Sequence, residues 1–86
     1  MMTREEIAEH NEEALFCDGF DEAIIGYAER INLGPVAAYD VNKIIETLMT
    51  RDGMSHEEAL EFYHYNIVGA WMGEYTPIFI TKLEEI

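Results

Sequence analysis

Phe20-Asp21-Glu22-Ala23-Ile24-Ile25-Gly26-Tyr27-Ala28-Glu29-Arg30-Ile31-Asn32-Leu33-Gly34-Pro35-Val36-Ala37-Ala38-Tyr39 is the stretch whose reading decides the fold. Phe20, Ala23, Ile24, Tyr27, Ala28 and Ile31 recur at helical spacing, which makes a helix over 20–31 one reading. Ile24-Ile25-Gly26-Tyr27 argues the other way, because β-branched and aromatic residues around a glycine lower helix propensity. Asn32-Leu33-Gly34-Pro35 reads as a turn and Val36-Ala37-Ala38-Tyr39 as a strand. A hairpin pairing about 22–30 with 36–39 is the expectation.

The sequence after this stretch is helical. Asp40 is placed as an N-cap, and Val41, Ile44, Ile45, Leu48 and Met49 form a stripe at i, i+3, i+4, i+7, i+8. Gly53 is placed to end that helix in the left-handed conformation. Ser55-His56-Glu57-Glu58 has the form of a capping box, and opens a second helix that carries Ala59, Leu60, Phe62, Tyr63, Ile67 and Trp71 to about Met72. The helices expected over 41–52 and 55–72 form a hairpin. Ile78-Phe79-Ile80 reads as a short strand. Before the hairpin, Thr3-Arg4-Glu5-Glu6 is a second capping box, which predicts a helix over about 4–14. The expected class is α+β: a small antiparallel sheet, made of the hairpin plus the C-terminal strand, packed against a helical hairpin, with a short N-terminal helix.

Eighty-six residues suit one domain, 1–86, and a hydrophobic fraction of 49% is enough for a packed core. Charge is the strongest compositional signal: five Lys and Arg against eighteen Asp and Glu, net −13. Such a chain repels nucleic-acid phosphates and anionic membranes and attracts basic protein surfaces. Residues 1–29 hold nine acidic groups and one base, Arg4, while 54–74 carry four Glu and no Lys or Arg. Cys17 is the only cysteine, so neither an intramolecular disulfide nor a Cys-cluster zinc site can form. Residues 3–13 are charged rather than apolar, and no apolar run approaches the roughly 20 residues of a membrane span. The expected location is the cytoplasm.

Asp18-Gly19-Phe20-Asp21-Glu22-Ala23-Ile24-Ile25-Gly26, Tyr39-Asp40, Arg51-Asp52-Gly53-Met54-Ser55 and Tyr65-Asn66-Ile67-Val68-Gly69-Ala70-Trp71-Met72-Gly73-Glu74-Tyr75-Thr76-Pro77 resemble small acidic hypothetical proteins encoded by phages and by bacteria carrying phage-derived genes. The resemblance covers about three quarters of the chain and implies a genetic setting, not a mechanism.

Chemical constellations are sparse. Glu61 and His64 share a helix face at the spacing that di-iron bundles use, but those need two such pairs and two further Glu on four helices. Asp18, Asp21 and Glu22 lack the alternating oxygen ligands and closing Glu of an EF-hand. Ser55, the only serine, is committed to a cap, and nothing in the spacing brings Cys17 to His10, His56 or His64. There is no GxGxxG or Walker-type run. No catalytic residue, metal or cofactor is expected.

The expectation is a protein partner with a basic surface, contacted by Glu5, Glu6, Glu9, Glu12, Glu13, Asp18, Asp21 and Glu22 and supported by Glu57 and Glu61. Its mechanism is field complementarity, carboxylates standing in for phosphates on a host nucleic-acid-binding or defence protein. The aromatics Phe62, Tyr63, Tyr65, Trp71 and Tyr75 are denser than one face can hide. One of the pairs Phe62/Tyr65 and Tyr63/Ile67 is expected in the core, leaving the other exposed. The alternative function is a structural protein that dimerises through Tyr65 or Trp71.

Overall fold

A computed structural model of the chain describes residues 3–70 and 72–83. Its elements in order are helix α1 (Arg4–His10), a 3-10 turn (Asp21–Ala23), strands β1 (Ile24–Arg30) and β2 (Leu33–Asp40), helices α2 (Val41–Thr50) and α3 (His56–Phe62), a π-helical turn (Tyr63–Val68) and strand β3 (Ile78–Ile80). The class is α+β.

The contested stretch forms a hairpin, but its turn differs from the expectation. Ile31-Asn32 makes the reversal, with Asn32 at φ 63°, a left-handed conformation that a short amide side chain tolerates better than a branched one. Leu33, Gly34 and Pro35 therefore belong to β2. The ladder absorbs Pro35, which has no N–H to donate, in a register shift between the pairs Ala28–Val36 and Arg30–Leu33.

The expectation of an all-antiparallel sheet is corrected. The strand order is β1-β2-β3, and β3 runs parallel to β2, pairing Ala38 with Ile78 and Asp40 with Ile80. A parallel neighbour needs a crossover of a dozen or more residues, which 41–77 supply with two helices and a return segment.

Both capping boxes form: Thr3 with Glu6, and Ser55 with Glu58. Helix α1 nevertheless ends at His10, short of the expected 14. Asn11 turns extended (φ −157°, ψ 101°), and its side chain accepts from the Glu13 N–H at 3.1 Å and donates to the Pro35 carbonyl at 2.9 Å. Such local side-chain bonds compete with continuation of a helix.

Helix α3 is shorter than 55–72 and changes character at Tyr63. Its buried residues Ala59, Tyr63 and Ile67 are four apart, a spacing that drifts about 40° per step on an α-helix. A wider turn counters the drift. Gly69 closes it with an N–H bond to the His64 carbonyl at 3.0 Å. A Cβ on Gly69 would lie 2.9 Å from that same oxygen.

The core gathers Ile7 from α1, Ala37 and Tyr39 from β2, Ile44 and Leu48 from α2, and Tyr63 and Ile67 from the last helical segment. Val36 and Ala38 alternate with Ala37 and Tyr39 and are also buried, so β2 is covered on both faces. Met49 completes the sequence stripe of α2 but is partly exposed.

Gly34 is where α1 meets the sheet. An added Cβ would lie 2.8 Å from Asn11 Nδ2 and 2.9 Å from Asn11 Cγ. Gly34→Ala is expected to destabilise the fold by roughly 1–3 kcal/mol, as overpacking typically does. In an Asn11→Ala background the further cost should fall sharply, a coupling that a double-mutant cycle in urea would measure.

Candidate functional site

The loop 16–22 is the hub of the polar surface. Arg4 reaches it from the first residue of α1: Nε meets Asp21 Oδ1 at 2.7 Å, and Nη2 meets Asp18 Oδ1 at 3.1 Å and the Cys17 carbonyl at 3.3 Å. The same guanidinium lies 5.1 Å from the Phe16 ring centroid. Arg51, at the end of α2, holds the other side. Its Nη1 donates to the Gly19 carbonyl at 2.6 Å, it forks onto Asp52 at 2.8 and 3.0 Å, and it lies 5.0 Å from the Phe20 centroid. The Arg51 guanidinium holds the Asp52 carboxyl below its ordinary pKa.

The other three cations are also engaged. Lys43 pairs with Glu46 at 3.5 Å and Lys82 with Asp40 at 3.4 Å. Arg30 donates to the Glu74 carbonyl at 2.7 Å. All five Lys and Arg therefore have a partner within the fold.

The carboxylates singled out from the sequence divide accordingly. Glu5, Glu9, Glu12 and Glu13 are exposed on α1 and the turn after it, and Glu22 on the 3-10 turn, with no ion pair among the described residues. Glu6 is exposed but tied into its capping box. Asp18 and Asp21 are exposed and already paired with Arg4. Glu57 and Glu61 are exposed on α3. Helix α1 packs on β2 and α3 on α2, so the acidic groups ride on two different elements. Glu29, on the outer strand β1, is a further exposed carboxylate that helix-centred reasoning passed over.

The aromatic pairs separate as their spacing required. Tyr63 and Ile67 are buried, whereas Phe62 is 37% and Tyr65 81% exposed. Trp71 lies outside the described residues. Met54, Glu58, Glu61, Phe62, Tyr65 and Asn66 line a surface hollow of about 340 Å³. A neighbouring hollow of about 350 Å³ shares Phe62 and Asn66 with it and continues to Phe16, Cys17, Asp18 and Met72. The two hollows adjoin at Phe62 and Asn66, and Glu58, Glu61 and Asp18 are the carboxylates that line them. Met54 and Met72 carried no functional signal in the sequence, since only the tertiary fold brings 16–18, 54 and 72 beside α3.

Cys17 is half-buried, and its backbone N–H donates to the Tyr39 hydroxyl at 2.8 Å. Burial pushes its thiol up to about 11, against a smaller opposing effect of Arg4. At neutral pH it is almost wholly protonated and a poor nucleophile. No group of three or more His, Cys, Asp or Glu is placed to hold a metal ion among the described residues, and no described helix is long and apolar enough to cross a membrane. A third groove, of about 490 Å³, lies between α2 and α3, with Val41, Ile45, Met49, Leu60 and Tyr63 forming its apolar wall.

No family model, curated protein or solved structure shows a significant match to this chain.

Cys17 and Tyr39 give the fold a defined alkaline limit. Burial raises the thiol from 9.0 to about 11 and the Tyr39 phenol from 10.0 to about 12. Both groups hold their protons more tightly folded than unfolded, so their contribution to stability is complete below pH 9 and lost as pH rises through the folded values. Urea midpoints should fall steadily between pH 9 and 12, and the double variant Cys17→Ala/Tyr39→Phe should flatten that slope.

Proposed function

We propose that this protein acts by stoichiometric binding, presenting exposed carboxylates to the basic face of a protein whose own ligand is a nucleic acid. The observation that carries this reading is the allocation of charge. Every Lys and Arg is used within the fold, while Glu5, Glu9, Glu12, Glu13, Glu22, Glu57 and Glu61 stand exposed without a counter-ion among the described residues. Such a surface projects a negative field outward, which steers a basic partner into contact and repels phosphate. The resemblance to phage-type acidic proteins makes a host nucleic-acid-binding or defence protein the partner class, inhibited by occlusion in the host cytoplasm.

Dimerisation through the aromatic helix is the second reading, favoured by the exposure of Phe62, Tyr65 and Met72. A structural role of this kind requires no acidic recognition. The two readings differ in their salt dependence.

A pull-down from host lysate at low and at high salt, with partners identified by mass spectrometry, is the test. A nucleic-acid-binding protein should be retained at low salt and released at high salt. Reversing Glu5, Glu9, Glu12 and Glu13 to Lys should weaken that complex at least tenfold, mainly by slowing association. Retention that persists in high salt and survives the reversal would overturn the reading. A stable dimer in sedimentation, with no partner recovered, would establish the second one.

A further inference from the structure

Aromatic rings and carboxylates meet at three places around the 16–22 loop and the α3 face, and two of them already hold an arginine. Phe16 with Asp18 and Asp21 holds Arg4; Phe20 with Asp52 holds Arg51. In both, the guanidinium stacks near a ring and donates to a carboxylate, a combination that its flat, weakly hydrated fork suits better than an ammonium. The third place is the hollow lined by Phe62, Tyr65 and Met54 with Glu58 and Glu61. It has the same chemical parts, and no Lys or Arg lines it or the adjoining hollow among the described residues.

We propose that this third place docks an arginine side chain supplied by a partner protein, with an apolar neighbour of that arginine lying in the adjoining hollow of Phe16, Phe62 and Met72. Glu58 is held by its capping box, accepting from the Ser55 N–H at 2.9 Å, so it stands as a fixed anion at the rim. Glu61 is exposed and has no ion pair among the described residues, which makes it the fork's acceptor. Tyr65, at 81% exposure, offers the open ring face. A second copy of this chain is a poor donor, because its own Arg4, Arg30 and Arg51 each already donate a bond of 2.6–2.7 Å within the fold. Charge complementarity favours a foreign basic segment instead, since residues 54–74 carry four Glu and no Lys or Arg.

This deepens the binding reading, on which it rests, by adding to the α1 carboxylates a recognition contact on α3 and the turn that follows it. The test uses the full chain, labelled with ¹⁵N, and three amidated peptides: acetyl-Leu-Arg-Leu-Arg and its lysine and citrulline counterparts. The arginine peptide should shift the amides of Glu61, Phe62, Tyr65 and Asn66 and bind at least threefold more tightly than the lysine peptide. The citrulline peptide, which keeps the shape and loses the charge, should bind at least tenfold more weakly. Tyr65→Ser and Glu61→Gln should each weaken the arginine peptide at least fivefold, whereas Glu9→Gln, with the same loss of charge, should leave it within twofold. Tyr65 is so exposed that its substitution leaves the core untouched.

Shifts confined to α1, or equal losses from Glu9→Gln and Glu61→Gln, would overturn the arginine site while leaving the general acidic-surface reading in place. Equal binding of all three peptides, or none, would overturn it as well. So would a dimer in sedimentation that Tyr65→Ser dissolves, because the face would then be occupied by a second copy. The lysate pull-down fails or succeeds separately, through the α1 reversal, so the two ideas stand or fall on different measurements.

Discussion

Tyr39 holds the layers of this fold to one another. Its side chain is fully buried at the C-terminal end of β2, its ring stacks on Phe79 of β3 at 5.8 Å, and its hydroxyl accepts from the Cys17 N–H at 2.8 Å. One residue thus joins the central strand, the parallel edge strand and the loop that carries Asp18 and Asp21. A buried phenol needs a partner for its hydroxyl, and the backbone of a loop offers one at a fixed distance. Arg4 and Arg51 bond the same loop beside that anchor, at the Cys17 and Gly19 carbonyls.

The scarcity of positive charge has a structural consequence. Five cations cannot neutralise eighteen acids, and the fold spends them on organisation. Arg4 ties α1 to the 16–22 loop, Arg51 ties the end of α2 to the same loop, and Arg30 ties the hairpin to the return segment at Glu74. These bonds reach backbone carbonyls, so each guanidinium orders a stretch of chain; the Cys17 carbonyl also accepts from the Phe20 N–H at 3.3 Å. The remaining carboxylates are left to water on α1 and α3, where their mutual repulsion is screened by solvent. A surface assembled in this way is negative by construction, whichever protein it faces.

The π-helical turn settles the orientation of the aromatic residues. The wider turn keeps the buried residues Ala59, Tyr63 and Ile67 closer to one line than an α-helix would, and Gly69 is the residue whose missing side chain lets that turn close on the His64 carbonyl. With that face committed to the core, Phe62 and Tyr65 point outward, beside Met54 and within reach of Met72. Exposed aromatic surface next to fixed carboxylates is therefore a product of how the helix is wound.

Elements whose signals are local were legible in the residues themselves. Both capping boxes, the stripe of α2, the left-handed Gly53, the strand at Ile78–Ile80 and the division between Tyr63/Ile67 and Phe62/Tyr65 depend on residues within a few positions of one another. The net charge and its concentration in 1–29 were equally plain. What the sequence alone could not settle depends on distant partners. Asn11 stops α1 because Pro35 is there to accept its amide; Gly34 and Pro35 join β2 because a register shift absorbs them; and β3 runs parallel because 41–77 return the chain to the starting end of the pairing. The same holds for the surface. Composition determines that this protein is acidic, but only tertiary contacts decide which carboxylates the five cations take, because ion pairs such as Arg4–Asp21 join groups far apart in the chain whose meeting is set by the packing of the core.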